Sequence, residues 1–214
     1  MANRPIFSPN LSKVGVKITN LDFKWHSGIS PEQKKKSIIQ LHEAAHACGI
    51  QHILEVSTKS ELEIGVQLSA FNLMITTKKY QNKFTVETAF QGSKVFENGG
   101  PYTDLIGMYS LKAKKDPRLR SSGNLTAFRF FNIDFPLLPR TYFYNWLYIN
   151  AIVQNPVLAK DVLRFDSFTD IEFNPKRSIN CQAHSVALYI SLYRQNLLAK
   201  ALESPADFLK YCYE

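Results

Sequence analysis

The sequence predicts an α+β fold, a single and mainly helical domain over residues 1–214 with a small β component. Three observations lead there. Helix punctuation recurs along the chain, as Ser30-Pro31, Gly49, Asn155-Pro156 and Ser204-Pro205. Serine and proline open helices by capping and by fixing φ, and glycine closes them. The runs that read as strands are few and short, and no linker, repeat or low-complexity tract divides the chain. A chain of 214 residues also suits one core.

Taken in order, residues 14–25 alternate well enough for an early strand or two. Ser30 as N-cap, Pro31 at N1 and Gln33 at N3 start a helix expected to reach Cys48, with Gly49 as its C′ residue. Residues 50–56 read as a buried strand. Residues 61–74 are ambiguous, and Leu68 to Leu73 look like a structured loop. A helix is expected over 85–96, opening on Thr85 and stopped by Asn98-Gly99-Gly100-Pro101. Residues 105–115 read as helical, 124–135 as a strand, 141–154 as an aromatic-rich helix and 166–179 as a polar loop. Residues 180–202 read as a long amphipathic helix, followed by a short one after Ser204-Pro205.

Composition narrows the class. The chain is 45% hydrophobic and 13% aromatic, hence globular. No apolar run approaches the roughly 18–20 residues that span a bilayer, and the first residues lack the apolar stretch of a signal peptide. Cys48, Cys181 and Cys212 are scattered and odd in number, which fits a reducing cytoplasm, and the lack of a spanning run fits no membrane. The net charge of +8 suits a polyanionic partner such as nucleic acid.

Several motifs carry chemistry on their face. His42-Glu43-Ala44-Ala45-His46 matches the zinc-protease pattern H-E-x-x-H, but it sits on an N-terminal amphipathic helix. Only His52 and His184 follow as third ligands. No metal and no cofactor is expected. Cys181 with His184 is conceivable as a nucleophilic pair, and a small buried cysteine is the plainer reading. Residues 112–120 hold five cations, Lys112, Lys114, Lys115, Arg118 and Arg120, as a candidate nucleic-acid surface or a solvated face. The aromatics of 128–148 are core by default, with one or two free to stack on a base. Glu87, Phe90, Gln91 and Lys94 stand at i, i+3, i+4 and i+7, one stripe of the expected helix. Either that stripe is wet surface or it walls a polar pocket. The loop 166–180 spaces Asp166, Asp170, Glu172, Lys176, Arg177 and Asn180 between Phe168, Ile171 and Phe173, a pattern suited to a site.

Leu68-Ser69-Ala70-Phe71-Asn72, followed by Thr85-Val86-Glu87-Thr88-Ala89-Phe90-Gln91-Gly92-Ser93-Lys94, resembles the NADAR (YbiA-like) superfamily. Those proteins carry an F-S-N-F loop and then P-T-x-E-H-Y-F-Q-A-x-K. Glu87 to Tyr102, with Phe168-Thr-Asp-Ile-Glu-Phe-Asn-Pro-Lys-Arg-Ser-Ile-Asn-Cys-Gln, is similar to the NADAR branch found as antitoxins beside DarT-type DNA ADP-ribosyltransferase toxins. Ala70 stands where the loop motif has asparagine, Thr88 and Ala89 where the helix motif has histidine and tyrosine. The tryptophan-glycine stretch of YbiA-like proteins has no counterpart.

The resemblance implies a NADAR-like domain that removes ADP-ribose from guanine in DNA by cleaving an N-glycosidic bond. It implies ADP-ribosylated DNA as substrate, ADP-ribose as product and a DarT-like toxin as functional partner. Glu87 is the first choice for stabilising an oxocarbenium-like state or activating water. Lys94 is implied for a phosphate, a leaving group or attack on the opened sugar as an amine. Asp170 or Glu172 would be the second acid/base group. Ser69, Phe71, Asn72, Phe90, Gln91, Asn180 and Gln182 are expected around the ribose and rings, and Lys176 and Arg177 on the pyrophosphate. Cleavage of a small nucleotide metabolite and a non-catalytic binding module stay open as alternatives.

Overall fold

A computed structural model describes residues 1–28 and 30–214. The chain opens with β1 (Ala2–Pro9) and β2 (Val16–Phe23), an antiparallel pair joined along its full length. The first of these lay outside the expected strands, because Pro5 and Pro9 interrupt its alternation. Helix α1 (Pro31–Ala47) follows as its punctuation requires: Ser30 Oγ accepts from Gln33 N, and Gly49 takes φ +79° beyond the Cys48 cap. Then come β3 (Ile53–Glu55) and the short α2 (Glu63–Gln67).

Residues 74–153 supply β4 (Met74–Thr76), β5 (Lys83–Thr85), α3 (Val86–Gly92), β6 (Lys94–Phe96), α4 (Ser110–Lys114), α5 (Arg118–Ser121), β7 (Leu125–Phe130), β8 (Ile133–Phe135) and α6 (Tyr142–Val153). The chain ends with α7 (Pro156–Asp161), β9 (Ser167–Thr169), α8 (Gln182–Arg194), α9 (Leu198–Ala201) and α10 (Pro205–Tyr213). Ser204 caps the last helix, accepting from Asp207 N at 3.1 Å. The mixed α and β content agrees with the predicted class.

These elements form two compact units, Met1–Ser69 with Pro156–Glu214, and Ala70–Asn155. The first unit is built on a four-stranded sheet of order β2-β1-β9-β3. Neighbouring residues of a strand face opposite sides, and β1 uses both. Ile6 joins Ile38, Leu41 and Ala45 of α1 in one core cluster, with Phe23, Ile53 and Ile171. Phe7 instead meets the ring of His184 on α8 and that of Phe173. Helices α1 and α8 therefore cover opposite faces of the sheet.

The second unit has a hairpin, β4–β5, and a three-stranded sheet, β6-β7-β8. Its core is aromatic: Phe90, Phe128, Phe130, Phe135 and Phe143 pack ring against ring, with Trp146 against Phe130 and Phe135. All seven residues of α3 are buried.

Three expectations are corrected. The 85–96 helix stops at Gly92, and Lys94 lies on a strand. Ser93 caps the helix, with its Oγ donating to Ala89 O, and Val95 and Phe96 pair with β7. The 166–179 loop contains β9, because Ser167-Phe168-Thr169 is wholly buried and pairs in parallel with β3. The 180–202 helix breaks at Asn196, which adopts φ 56° between α8 and α9. Asparagine tolerates that left-handed conformation better than most residues. In addition, residues 124–135 form a hairpin rather than one strand, and 103–114 divides into a 3-10 turn (Thr103–Gly107) and α4.

Candidate functional site

In the second unit the two sequence motifs are physically joined. A helix leaves its first N–H groups without partners inside the helix. Here Val86 N donates to Leu73 O at 3.0 Å and Glu87 N to Ala70 O at 2.9 Å, so the loop after Ser69 caps α3 by its backbone. Thr85 Oγ1 accepts from Thr88 N in addition. Ser110 Oγ donates to Phe71 O at 3.3 Å and bonds Thr85 Oγ1 at 2.9 Å, which draws the start of α4 onto the same place. Gly92 is required here, since a Cβ would lie 2.7 Å from Ile106 Cγ1.

This framework converges on Glu87, which is 6% exposed. Its Oε1 accepts from Gln91 Nε2 at 2.9 Å and lies 3.8 Å from Lys114 Nζ. Lys114 lies one turn after Ser110 on the helix that these bonds hold in place. Lys114 Nζ also stands 4.8 Å from the centroid of the Phe71 ring. Lys94 reaches the same region from β6, with Nζ 5.0 Å from the Phe90 centroid. Burial lowers the Lys94 pKa, Glu87 opposes that shift and Lys114 adds to it. The Oε1 atom of Gln91 is buried and has no hydrogen-bond partner among the described residues. A buried orphan acceptor costs free energy, so this oxygen suits a ligand hydroxyl or N–H.

Glu87, Gln91, Lys94, Phe71 and Phe90 are thus brought together, although Lys94 arrives on a strand. Phe90 is chiefly core, stacked on Phe128 and Phe143, and Asn72 is exposed. The basic run divides. Lys114 belongs with Glu87, a role hidden in the sequence because no motif marks it. Arg118 is held by Asp116 at 2.9 Å and Asp104 at 2.6 Å over the Tyr102 ring. Lys112, Lys115 and Arg120 remain on the surface.

In the first unit Ser69 is buried, and Asp170 turns inward while Glu172 turns out. Asp170 Oδ1 accepts from Glu172 N and Phe173 N at 3.0 and 3.2 Å, and the Cys181 thiol approaches Oδ2 at 3.8 Å. Burial, reinforced by Glu55, pushes the Asp170 carboxyl well above the usual carboxylate range. Glu172 pairs with Lys34 at 3.5 Å. Lys176 and Arg177 are exposed in the turn made by Asn174, Asn180 is half-buried with its Oδ1 unpaired among the described residues, and Gln182 is buried at the start of α8.

Beside Asp170 lies a carboxylate that sequence reasoning missed. Glu55 accepts from Ser57 Oγ at 2.6 Å, Thr169 Oγ1 at 2.7 Å and Ile171 N at 2.9 Å. An acid inside Ile53-Leu54-Glu55-Val56 was its only signal. His42 Nε2 meets the same Thr169 hydroxyl at 2.9 Å. That hydroxyl gives its proton to Glu55, so His42 donates from Nε2. Burial lowers the His42 pKa to about 4. His46 is exposed and bonds Ile50 O through Nδ1. Among the described residues no group of three or more His, Cys, Asp or Glu is placed to hold a metal. Burial first, and then the neighbouring Asp170, push the Cys181 thiol well up, which disfavours a thiolate nucleophile. No described helix is long and apolar enough to cross a membrane.

A family model described as "DarT1-associated NADAR antitoxin" matches residues 2–214. Comparison with curated proteins returned no match.

Proposed function

The chain belongs to the family of DarT1-associated NADAR antitoxins, and from that premise we propose that it removes ADP-ribose from guanine bases in DNA. The observation that carries this reading is the Glu87 arrangement. A buried carboxylate with one amide donor and one distant ammonium keeps lone pairs for a substrate, which suits an oxocarbenium-like ribose or an attacking water. The unpaired Gln91 oxygen suits a ribose hydroxyl. The family match runs through both units, which supports reading residues 1–214 as one NADAR-like domain. The cytoplasm is the proposed place of action, a DarT toxin the partner whose modification is reversed, and ADP-ribose the product.

Two routes use these residues. In the first, Glu87 takes a proton from water as oxygen bonds to the anomeric carbon and the guanine nitrogen leaves. In the second, the neutral Lys94 amine bonds to that carbon, guanine leaves with a proton, and the ribose ring opens to an iminium. Water then returns ADP-ribose and the free amine. Burial of Lys94 favours the neutral amine that this route needs. Asp170, whose burial favours the neutral acid, is the proposed donor to the leaving group, with Glu172 as the alternative. Ser69, Phe71, Asn72, Lys176, Arg177, Asn180 and Gln182 are proposed for the ADP-ribose moiety. Lys112, Lys115 and Arg120 are proposed for DNA phosphates.

The test is incubation of a guanine-ADP-ribosylated oligonucleotide with wild-type protein and with Glu87→Gln, read on a gel, with borohydride present in a parallel set. Loss of the modification with wild type alone is expected. A reduced adduct on Lys94 selects the amine route, and turnover without any adduct sinks it. No removal by wild type would overturn the reading in favour of a nucleotide metabolite or a binding module.

A further inference from the structure

The second unit holds eleven Lys and Arg against five Asp and Glu, so +6 of the net +8 lies in Ala70–Asn155. With Arg118 tied to two carboxylates and Lys114 beside Glu87, two of the five cations in the 112–120 run are already engaged. The cations without carboxylate partners among the described residues include Lys78, Lys79 and Lys83, all exposed on the β4–β5 hairpin. Between them Tyr80 is 68% exposed, with Lys79 Nζ 4.8 Å from its ring centroid. The tip is a built structure. Asn82 N donates to Thr77 Oγ1, Thr77 N to Asn82 O and Gln81 N to Thr77 O, each at 3.0 Å, and Gln81 adopts φ 53°.

The β7–β8 turn lies beside it, since the Phe84 ring of β5 meets both Phe130 and Phe131 at 6.3 Å. Phe131 is 55% exposed and holds φ 51°. A bulky residue is strained there, and the next residue, Asn132, is of a type that tolerates it better. The ring packs edge-on against Phe130 at 4.6 Å and still leaves about half of itself to solvent, and backbone preference does not favour it there.

We propose that these two hairpin tips form a platform for single-stranded DNA, with Tyr80 and Phe131 stacking on unpaired bases and Lys78, Lys79 and Lys83 contacting phosphates. Lysines framing exposed rings match how single strands are gripped, whereas lysine is depleted from the cores of protein interfaces. Duplex bases offer no free face to rings on a tip. The proposal rests on the reading of the chain as a DNA-directed enzyme, and its test separates the two.

The probe is a fluorescein-labelled, unmodified single-stranded oligonucleotide titrated with full-length protein by anisotropy, beside the same sequence as duplex. Tyr80→Ser with Phe131→Ser is expected to weaken single-strand binding by about tenfold or more. Tyr80→Phe keeps the stack and the affinity. Lys78→Gln, Lys79→Gln and Lys83→Gln together lower the slope of log K against log salt by about two. Far-ultraviolet dichroism confirms that each variant folds. Unchanged single-strand affinity in the serine and glutamine variants overturns the platform, and so does loss of toxin binding with DNA binding intact. Release of ADP-ribose from the modified mononucleoside isolates the enzyme reading. Its absence with intact, variant-sensitive DNA binding condemns the activity and leaves the platform standing.

Discussion

Glu55 and Glu87 are both almost fully buried, at 3% and 6% exposure, one in each unit. Their surroundings differ in kind. Glu55 has three short donors from Ser57, Thr169 and Ile171, which use both oxygens. Glu87 has one amide donor at 2.9 Å and an ammonium at 3.8 Å, and beside it Gln91 keeps an orphan oxygen. A buried carboxylate with its lone pairs satisfied holds structure together. One left under-satisfied beside two lysines is placed to act on something that arrives. Burial alone does not separate the two; the donor inventory does.

The largest expected effect breaks the pair on its reactive side. Glu87→Gln keeps the shape and removes the charge, and should lower the rate of ADP-ribose removal by about 10²–10³. Single-turnover assay on modified oligonucleotide measures this, with thermal unfolding as control, where a change under about 1 kcal/mol is expected. A large loss of stability instead would put Glu87 in the same class as Glu55. Next in size is Glu55→Ala. It strands two hydroxyls and a backbone N–H, each costing about 1–3 kcal/mol when buried unpaired, so roughly 3 kcal/mol or more of stability should go. Urea denaturation reads that loss. Activity per folded molecule should stay within about threefold, the spread of a background substitution; a greater fall would make Glu55 part of the chemistry.

The same contrast explains what the sequence could reveal. Helix caps are local, so Ser30-Pro31 and Ser204-Pro205 placed α1 and α10 correctly. The Glu87, Gln91 and Lys94 grouping was legible from spacing, though for a partly wrong reason, because Lys94 comes near Glu87 from the strand β6 and not from the helix. Lys114 was not legible: its nearness to Glu87 comes from the docking of α4, in which Ser110 bonds a carbonyl 39 residues earlier. Nor was β9, three residues whose strand state comes from pairing with residues 114 positions away. Long-range pairing leaves no periodic trace in so short a segment.

A third expectation concerns acid. His42 and His184 both have pKa values lowered to about 4 by burial, against 6.5 in a free chain. Between those values the unfolded chain takes up protons that the folded one refuses. Stability is therefore full above pH 6.5 and falls as pH drops toward 4, by up to about 3 kcal/mol per histidine. Asp170 works the other way, since a raised carboxyl pKa favours the folded state as pH falls through it. Unfolding free energy measured across pH 4–7 should show a shallower acid loss in His42→Gln and a steeper one in Asp170→Asn. Equal slopes in all three proteins would mean that burial does not hold His42 and Asp170 in their neutral forms.

The smallest effect sharpens the reactive side. Lys114 is half-exposed, so its pairing with Glu87 is worth only about 0.2–1 kcal/mol, at most a factor of about five in rate at neutral pH. Its second influence is on Lys94, whose pKa it lowers. Lys114→Gln removes that repulsion, leaving a larger share of Lys94 protonated at pH 7. If the Lys94 amine attacks the sugar, the rising limb of the rate profile, on which the ammonium loses its proton, moves to higher pH in Lys114→Gln, and activity recovers as pH rises. If water attacks under Glu87, the protonation of Lys94 does not set the rate, and the variant is slower by a constant factor over the range in which Lys94 titrates. A pH profile of single-turnover rates with both proteins separates a moved limb from a parallel drop, and so decides which of the two lysines acts through charge and which through its lone pair.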